Sequence, residues 1–110
     1  MINRGALIVR PKQPYLDWAA GLDDSDILPR VDGEKTVYLI PNFDSFDEAE
    51  MFVDQVFGDL FENALWAWHT DPSDWPKNRD LATFRRWFSL EFHSMVDDLC
   101  DYQIVEDDDD

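Results

Sequence analysis

The run from Ser45 to Trp68, "SFDEAEMFVDQVFGDLFENALWAW", limits the possible folds more than any other part of the chain, because it has no proline and repeats its apolar residues at helical spacing. At about 100° per residue, Phe46, Ala49, Phe52, Val53, Val56, Phe57, Leu60, Ala64 and Trp68 share one broad arc. Asp47, Glu50, Asp54 and Glu62 fall opposite. Ser45 and Glu48 form S-x-x-E, in which each side chain can accept the backbone N–H of the other, and this marks where the helix starts. The spacing therefore predicts a helix to about Trp68, with the last turn open to an extended form. Its apolar face must be covered by other parts of the chain, and its acidic face is left outside.

Two short apolar runs supply strands. "GALIVR", Gly5 to Arg10, is closed by "PKQP", and "TVYLI", Thr36 to Ile40, is stopped by Pro41. Between them Pro14 suits the first turn of a short helix carrying Tyr15, Trp18, Ala19 and Leu22 on one face, and Gly21 to Lys35 reads as a loop. The separation permits a parallel crossover or an antiparallel pair. After the breakers Asp71, Pro72 and Pro76, Asn78 is a good N-cap with Asp80 in the first turn. A second long helix is expected there, with Leu81, Phe84, Phe88, Phe92, Met95, Val96 and Leu99 along one stripe and Arg86, His93 and Asp97 on the other side. Tyr102 to Val105 suits a short edge strand. The expectation is an α+β fold: a small two- or three-stranded sheet packed against two long helices and one short helix. Residues 1–102 form a single globular domain and 103–110 an acidic tail.

The chain has 110 residues, enough for one core, and its five Trp and eight Phe are far too apolar a content for intrinsic disorder. A formal net charge of −16 repels phosphate, which argues against direct nucleic-acid or anionic-membrane binding. From Asp44 to Glu62 there are seven acids and no base, whereas the basic residues gather at Arg4 to Lys12 and Lys77 to Arg86, where pairing with the acidic helix would neutralise them. The single cysteine, Cys100, allows no internal disulfide and no Cys-based zinc site, as suits a reducing compartment. The apolar run Gly5 to Val9 is too short for a secretion signal or a membrane span, so a cytoplasmic protein is expected.

The residues offer few candidates for chemistry. "WAWHTDPSDWP", Trp66 to Pro76, gathers Trp66, Trp68, His69, Asp71, Asp74 and Trp75. These residues suit either a corner filled by large rings or an aromatic cage in which carboxylates beside indoles attract a cation, and the corner is preferred. No metal centre is expected, because His69 and His93 are the only histidines and no ligand spacing can be written locally. His93 and Asp97 at i, i+4 suit a surface ion pair better than a catalytic base, since Ser89 has no elbow to activate it. Cys100 sits where a helix end disfavours a thiolate. With four glycines and no G-x-G-x-x-G or P-loop, no phosphate cradle and no cofactor are expected.

Two elements, "INRGALIVRPKQPYLDW" and "WHTDPSDWPKNRDLATFRRWFSLEFHSMVDDL", resemble a family of short, acidic, uncharacterised bacterial proteins that repeat R-P-K-x-P-Y/F-x-x-W and WP…F-x-x-WF-x-x-E-x-H-S. That resemblance implies a bacterial cytoplasmic protein of about this length and supplies no catalytic residues. The expected function is a non-catalytic protein–protein interaction or regulatory module that binds another protein. It would act through the acidic face of Asp47, Glu50, Asp54 and Glu62 or through the corner of Trp66, Trp68, His69, Asp71 and Trp75. The alternatives are an acidic nucleic-acid mimic that sequesters a DNA- or RNA-binding protein, and a small His- or metal-dependent enzyme.

Overall fold

A computed structural model of the chain describes residues 1–22 and 36–106. In chain order these form β1 (Arg4–Pro11), α1 (Gln13–Ala20), β2 (Thr36–Pro41), α2 (Phe46–Trp68), α3 (Leu81–Trp87) and β3 (Phe88–His93), with one 3-10 turn at Pro72–Asp74. β1 lies at the centre of a three-stranded sheet in the order β2-β1-β3, and both pairings are antiparallel. The fold is thus α+β. No helix among the described residues is long and apolar enough to cross a membrane.

The register decides which residues share a face, because directly opposed residues of antiparallel strands point the same way. Leu7 is opposed by Tyr38 and Phe92, Val9 by Thr36 and Leu90, and Pro11 by Phe88. This is the inner face. Its Leu7, Val9, Ile40 and Phe88 join Val53, Leu60, Phe61 and Leu65 from α2, Phe84 from α3, and Tyr15 and Leu16 from α1 in one core. Phe61 holds its centre, with its ring centroid 5.8 Å from Phe84 and 5.5 Å from Phe88. Each fully buried Leu or Phe contributes roughly 1.5–3 kcal/mol through removal of apolar surface from water. α2 starts where the sequence places it, with the Ser45 hydroxyl accepting the N–H of Glu48 and a Glu48 carboxylate oxygen accepting the N–H of Asp44. Its last turn is helical, not extended.

The second long helix is the main correction. α3 has seven residues, and Phe88–His93 is a strand. "FSLEFH" alternates apolar and polar residues with period two, while Phe88 and Phe92 are also four apart and so satisfy a helical stripe equally well. The long-range ladder to β1 decides between the two readings, because it buries Phe88, Leu90 and Phe92 on the inner face of the sheet. Asp80, not Asn78, caps α3, its carboxylate accepting the N–H of Thr83. Beyond β3 residues 94–106 form no helix or strand, so Met95 and Leu99, expected in the core, are 79% and 97% exposed. Tyr102 to Val105 forms no strand. Cys100 is exposed and lies in no helix. The expected loop lies largely outside the described residues. Phe46, expected on the apolar arc, is exposed at the helix start.

The outer face of the sheet carries Ala6, Ile8, Arg10, Val37, Leu39, Glu91 and His93, of which Ala6 is buried and Val37 and Leu39 are exposed. Glu91 accepts from the Arg10 guanidinium at 2.7 Å and contacts His93 Nε2 at 2.6 Å. These contacts, that of Arg10 first, pull the Glu91 carboxyl from its ordinary 4.5 down to about 2. Asp97 is elsewhere, paired with the amino group of Met1 at 2.8 Å, so the expected His93–Asp97 pair does not form.

Two expectations follow from this packing. A methyl group on Gly5 would stand 2.7 Å from the Phe43 ring, so Gly5→Ala should lower stability by about 1–3 kcal/mol in urea denaturation. Adding Phe43→Leu should recover much of the loss, and equal stability of Gly5→Ala and parent would refute the close approach. A carboxyl held lower in the folded state than in the unfolded one stabilises above the unfolded value. The advantage of the parent over Glu91→Gln should therefore be full above pH 4.5 and fade as the pH falls toward 2.

Candidate functional site

The chain leaves α2 at His69, whose N–H reaches the carbonyl of Leu65 at 2.9 Å, and turns through Asp71 to Trp75 before α3. Asp71 caps the 3-10 turn, its carboxylate accepting the N–H and the hydroxyl of Ser73 at 3.1 and 2.8 Å. Those bonds hold its carboxyl below the usual range. His69 Nε2 contacts the Asp74 carboxylate at 2.8 Å.

Three indoles pin this corner to the rest of the protein. Trp75 Nε1 donates to the carbonyl of His69 at 2.8 Å, Trp18 Nε1 to that of Asp74 at 3.0 Å, and Trp68 Nε1 to that of Ala19 at 3.2 Å. The Arg79 guanidinium lies 5.8 Å from the Trp75 ring centre, so a cation of the chain itself already occupies that ring. The carbonyls of His69 and Asp74 belong to the turn itself, and the indoles of Trp75 and Trp18 satisfy them. This is the geometry of a fastened corner, not of an open cage.

The corner also binds together the two elements on which the family resemblance rests. Arg10 pairs with Glu91, the Lys12 N–H donates to the carbonyl of Trp87 at 2.8 Å, and the Trp87 ring meets that of Tyr15 edge-on and that of Trp18 at a tilt. The two stretches are distant in sequence and pack against each other.

Donor atoms of His69, Asp71 and Asp74 lie within 4.8 Å of one another, close enough in principle for one ion given metal–ligand bonds of about 2 Å. The Asp71 carboxylate is engaged by Ser73 and that of Asp74 by His69, however, and both acids are exposed. Among the described residues no buried side-chain polar atom lacks a hydrogen-bond partner. A pocket of about 60 Å³ lies between β1, β2, α1 and the end of α2, lined by Val9, Pro11, Tyr15, Thr36, Tyr38, Ala64, Ala67, Trp68 and Phe88. It is small beside ligand pockets of roughly 300–1,000 Å³. None of its lining residues is a histidine, an acid, a serine or a cysteine, and the Tyr15 hydroxyl is already donated to the carbonyl of Ala64 at 2.9 Å.

The outward face of α2 has a different character. Of the four acids expected there, Glu50 and Asp54 are held by Arg85 of α3, whose Nη2 bonds Glu50 and lies 3.4 Å from Asp54. This is the neutralisation expected of the basic cluster, realised by one residue. Asp47 and Glu62, joined by Asp59, are exposed and form no ion pair among the described residues. Between them stand Met51, 62% exposed, and Trp66, 57% exposed. Trp66 is close to Trp68 and Trp75 in sequence, but its helical phase places it away from them, where it makes no indole hydrogen bond or ring pair among the described residues. The signal for Met51 and Trp66 was present in the sequence, as large apolar residues on the polar side of an otherwise amphipathic helix.

No family model matches the chain, and no curated protein and no solved structure matches it either. The site must be read from its own geometry.

Replacing Trp75 by Phe keeps a ring and removes the donor to His69, so the variant should lose about 1 kcal/mol in chemical denaturation. An unchanged midpoint would show that this hydrogen bond does not fasten the corner.

Proposed function

We propose that the protein is a non-catalytic binding module that recognises another protein through the outward face of α2. The observation that carries this reading is the exposure of Met51 and Trp66 on the same helical face as the unpaired acids Asp47, Asp59 and Glu62. Large apolar side chains surrounded by charge are the usual anchors of a protein interface, whereas a purely solvating face has no need of them. The enzyme reading has less support: the pocket lined by Val9, Tyr15, Tyr38 and Trp68 contains neither His69 nor His93, and the acids at the corner serve its turn.

The nucleic-acid mimic is less well supported. A surface that imitates phosphates needs a run of free carboxylates, but Arg85 pairs with Glu50 and Asp54 and offsets part of their charge, and apolar side chains interrupt the rest. A partner of a mimic would also be lost steeply with salt.

The test is photo-crosslinking of the full chain in the organism that makes it, with p-benzoylphenylalanine in place of Met51 or Trp66 and, as a control, of Val37 on the outer sheet face. The same discrete protein should be captured from both α2 positions, should be lost with Asp47→Lys/Glu62→Lys, and should be absent at Val37. Capture from Val37 alone, or from no position, would refute the assignment of the surface.

A further inference from the structure

Gly58 lies in the middle of α2, where glycine is among the least favourable residues for a helix, and nothing among the described residues accounts for it. Its backbone has no positive φ, and a Cβ added there would meet nothing within 4 Å. Gly5 provides the contrast, since there a methyl would collide with Phe43. The missing side chain at Gly58 therefore leaves space outside the molecule, on a helix whose stability it lowers.

Met51, Gln55, Gly58, Glu62 and Trp66 follow one another at steps of four, three, four and four residues, which keeps them on one exposed stripe. At a rise of about 1.5 Å per residue, Gly58 lies roughly 10 Å from Met51 and 12 Å from Trp66 along the axis. The stripe thus dips to bare backbone at Gly58, with the polar side chains of Gln55 and Glu62 next to the dip and a bulky apolar side chain at each end. A helix with its side chains is about 10–12 Å across, so one crossing helix fits between the two ends. Asp47 and Asp54 flank the stripe on one side and Asp59 on the other, and Arg85 is the only base paired with them among the described residues.

From this shape and charge we infer that α2 receives a basic amphipathic helix of a partner protein, which crosses it at Gly58 between Met51 and Trp66 with its Lys or Arg side chains against Asp47, Asp59 and Glu62. The inference rests on the reading of α2 as the binding face and adds the class of partner and the point of closest approach. Apolar contact at the two ends fixes where the helix crosses, and the carboxylates select a basic helix over an acidic one.

The test uses a labelled 18-residue helical peptide, basic on its flanks with leucine and alanine along the contact stripe, and a peptide of equal charge in which two central prolines prevent a helix. Fluorescence anisotropy at moderate salt reads the affinity of the full chain and of Gly58→Trp, with an amide NMR spectrum confirming that the variant is folded. The helical peptide should bind the parent at least tenfold more tightly than the proline peptide, and Gly58→Trp should weaken it tenfold or more. Gly58→Ala should melt at a higher temperature than the parent, because its methyl points into open space. Equal binding by Gly58→Trp and parent, equal binding by the two peptides, or no binding of the helical peptide would overturn the inference. If crosslinks from Met51 and Trp66 persist in the Gly58→Trp background, the face is a binding surface and only the crossing helix is wrong. If those crosslinks are absent from the parent itself, the underlying reading fails.

Discussion

The ladder between β1 and β3 is the constraint on which the rest of the structure depends. β1 carries Leu7 and Val9 toward the core, and a central strand must be paired on both sides to satisfy its backbone. One partner, β2, precedes α2, and the other arrives only at Phe88, after the chain has run the length of α2 and reversed. The reversal at residues 69–80 is therefore required by the sheet. Within that reversal Trp75 donates to the carbonyl of His69, Trp18 of α1 donates to that of Asp74, and Trp68 at the end of α2 donates to that of Ala19 in α1, which ties the reversal to α1. The register in turn brings Phe88 under Phe61 and Phe84, so the ladder and the aromatic core form together.

Much of this was legible in the sequence. β1, α1, β2 and α2 each carry their own local signals: a β-branched run closed by proline, a proline in the first helical turn, and a serine–glutamate capping box. β3 was not, because Phe88 and Phe92 satisfy period two and a four-residue step alike, and the deciding interaction is with residues about eighty positions earlier. Local pattern cannot weigh a ladder that distant. The same error carried His93, Asp97 and Cys100 onto a helix that does not exist and placed Met95 and Leu99 in the core. The site was legible in part. The acidic side of α2 follows from its period, but the capture of Glu50 and Asp54 by Arg85 depends on how α3 packs.

The separation of roles along one stretch of chain has a functional meaning. "WAWHTDPSDWP" concentrates the residue types that attract attention in a sequence, and the structure divides them. Trp68 and Trp75 use their donors to hold the turn, while Trp66 faces away on α2, close to the acids Asp59 and Glu62 in the helix. The outer face of α2 combines exposed apolar bulk, acids that form no ion pair among the described residues, and a glycine with no close neighbour among them, and these are the features on which the proposed binding role rests.

That division of labour is tested most directly by the unfolding midpoints of Trp66→Ala and Trp75→Ala, measured side by side on the full chain. A fastened corner and a free outward face predict a clear loss of stability for Trp75→Ala and a midpoint close to the parent for Trp66→Ala. A large loss for Trp66→Ala, or none for Trp75→Ala, would contradict the account, because the outward tryptophan would then belong to the fold or the corner would not hold it.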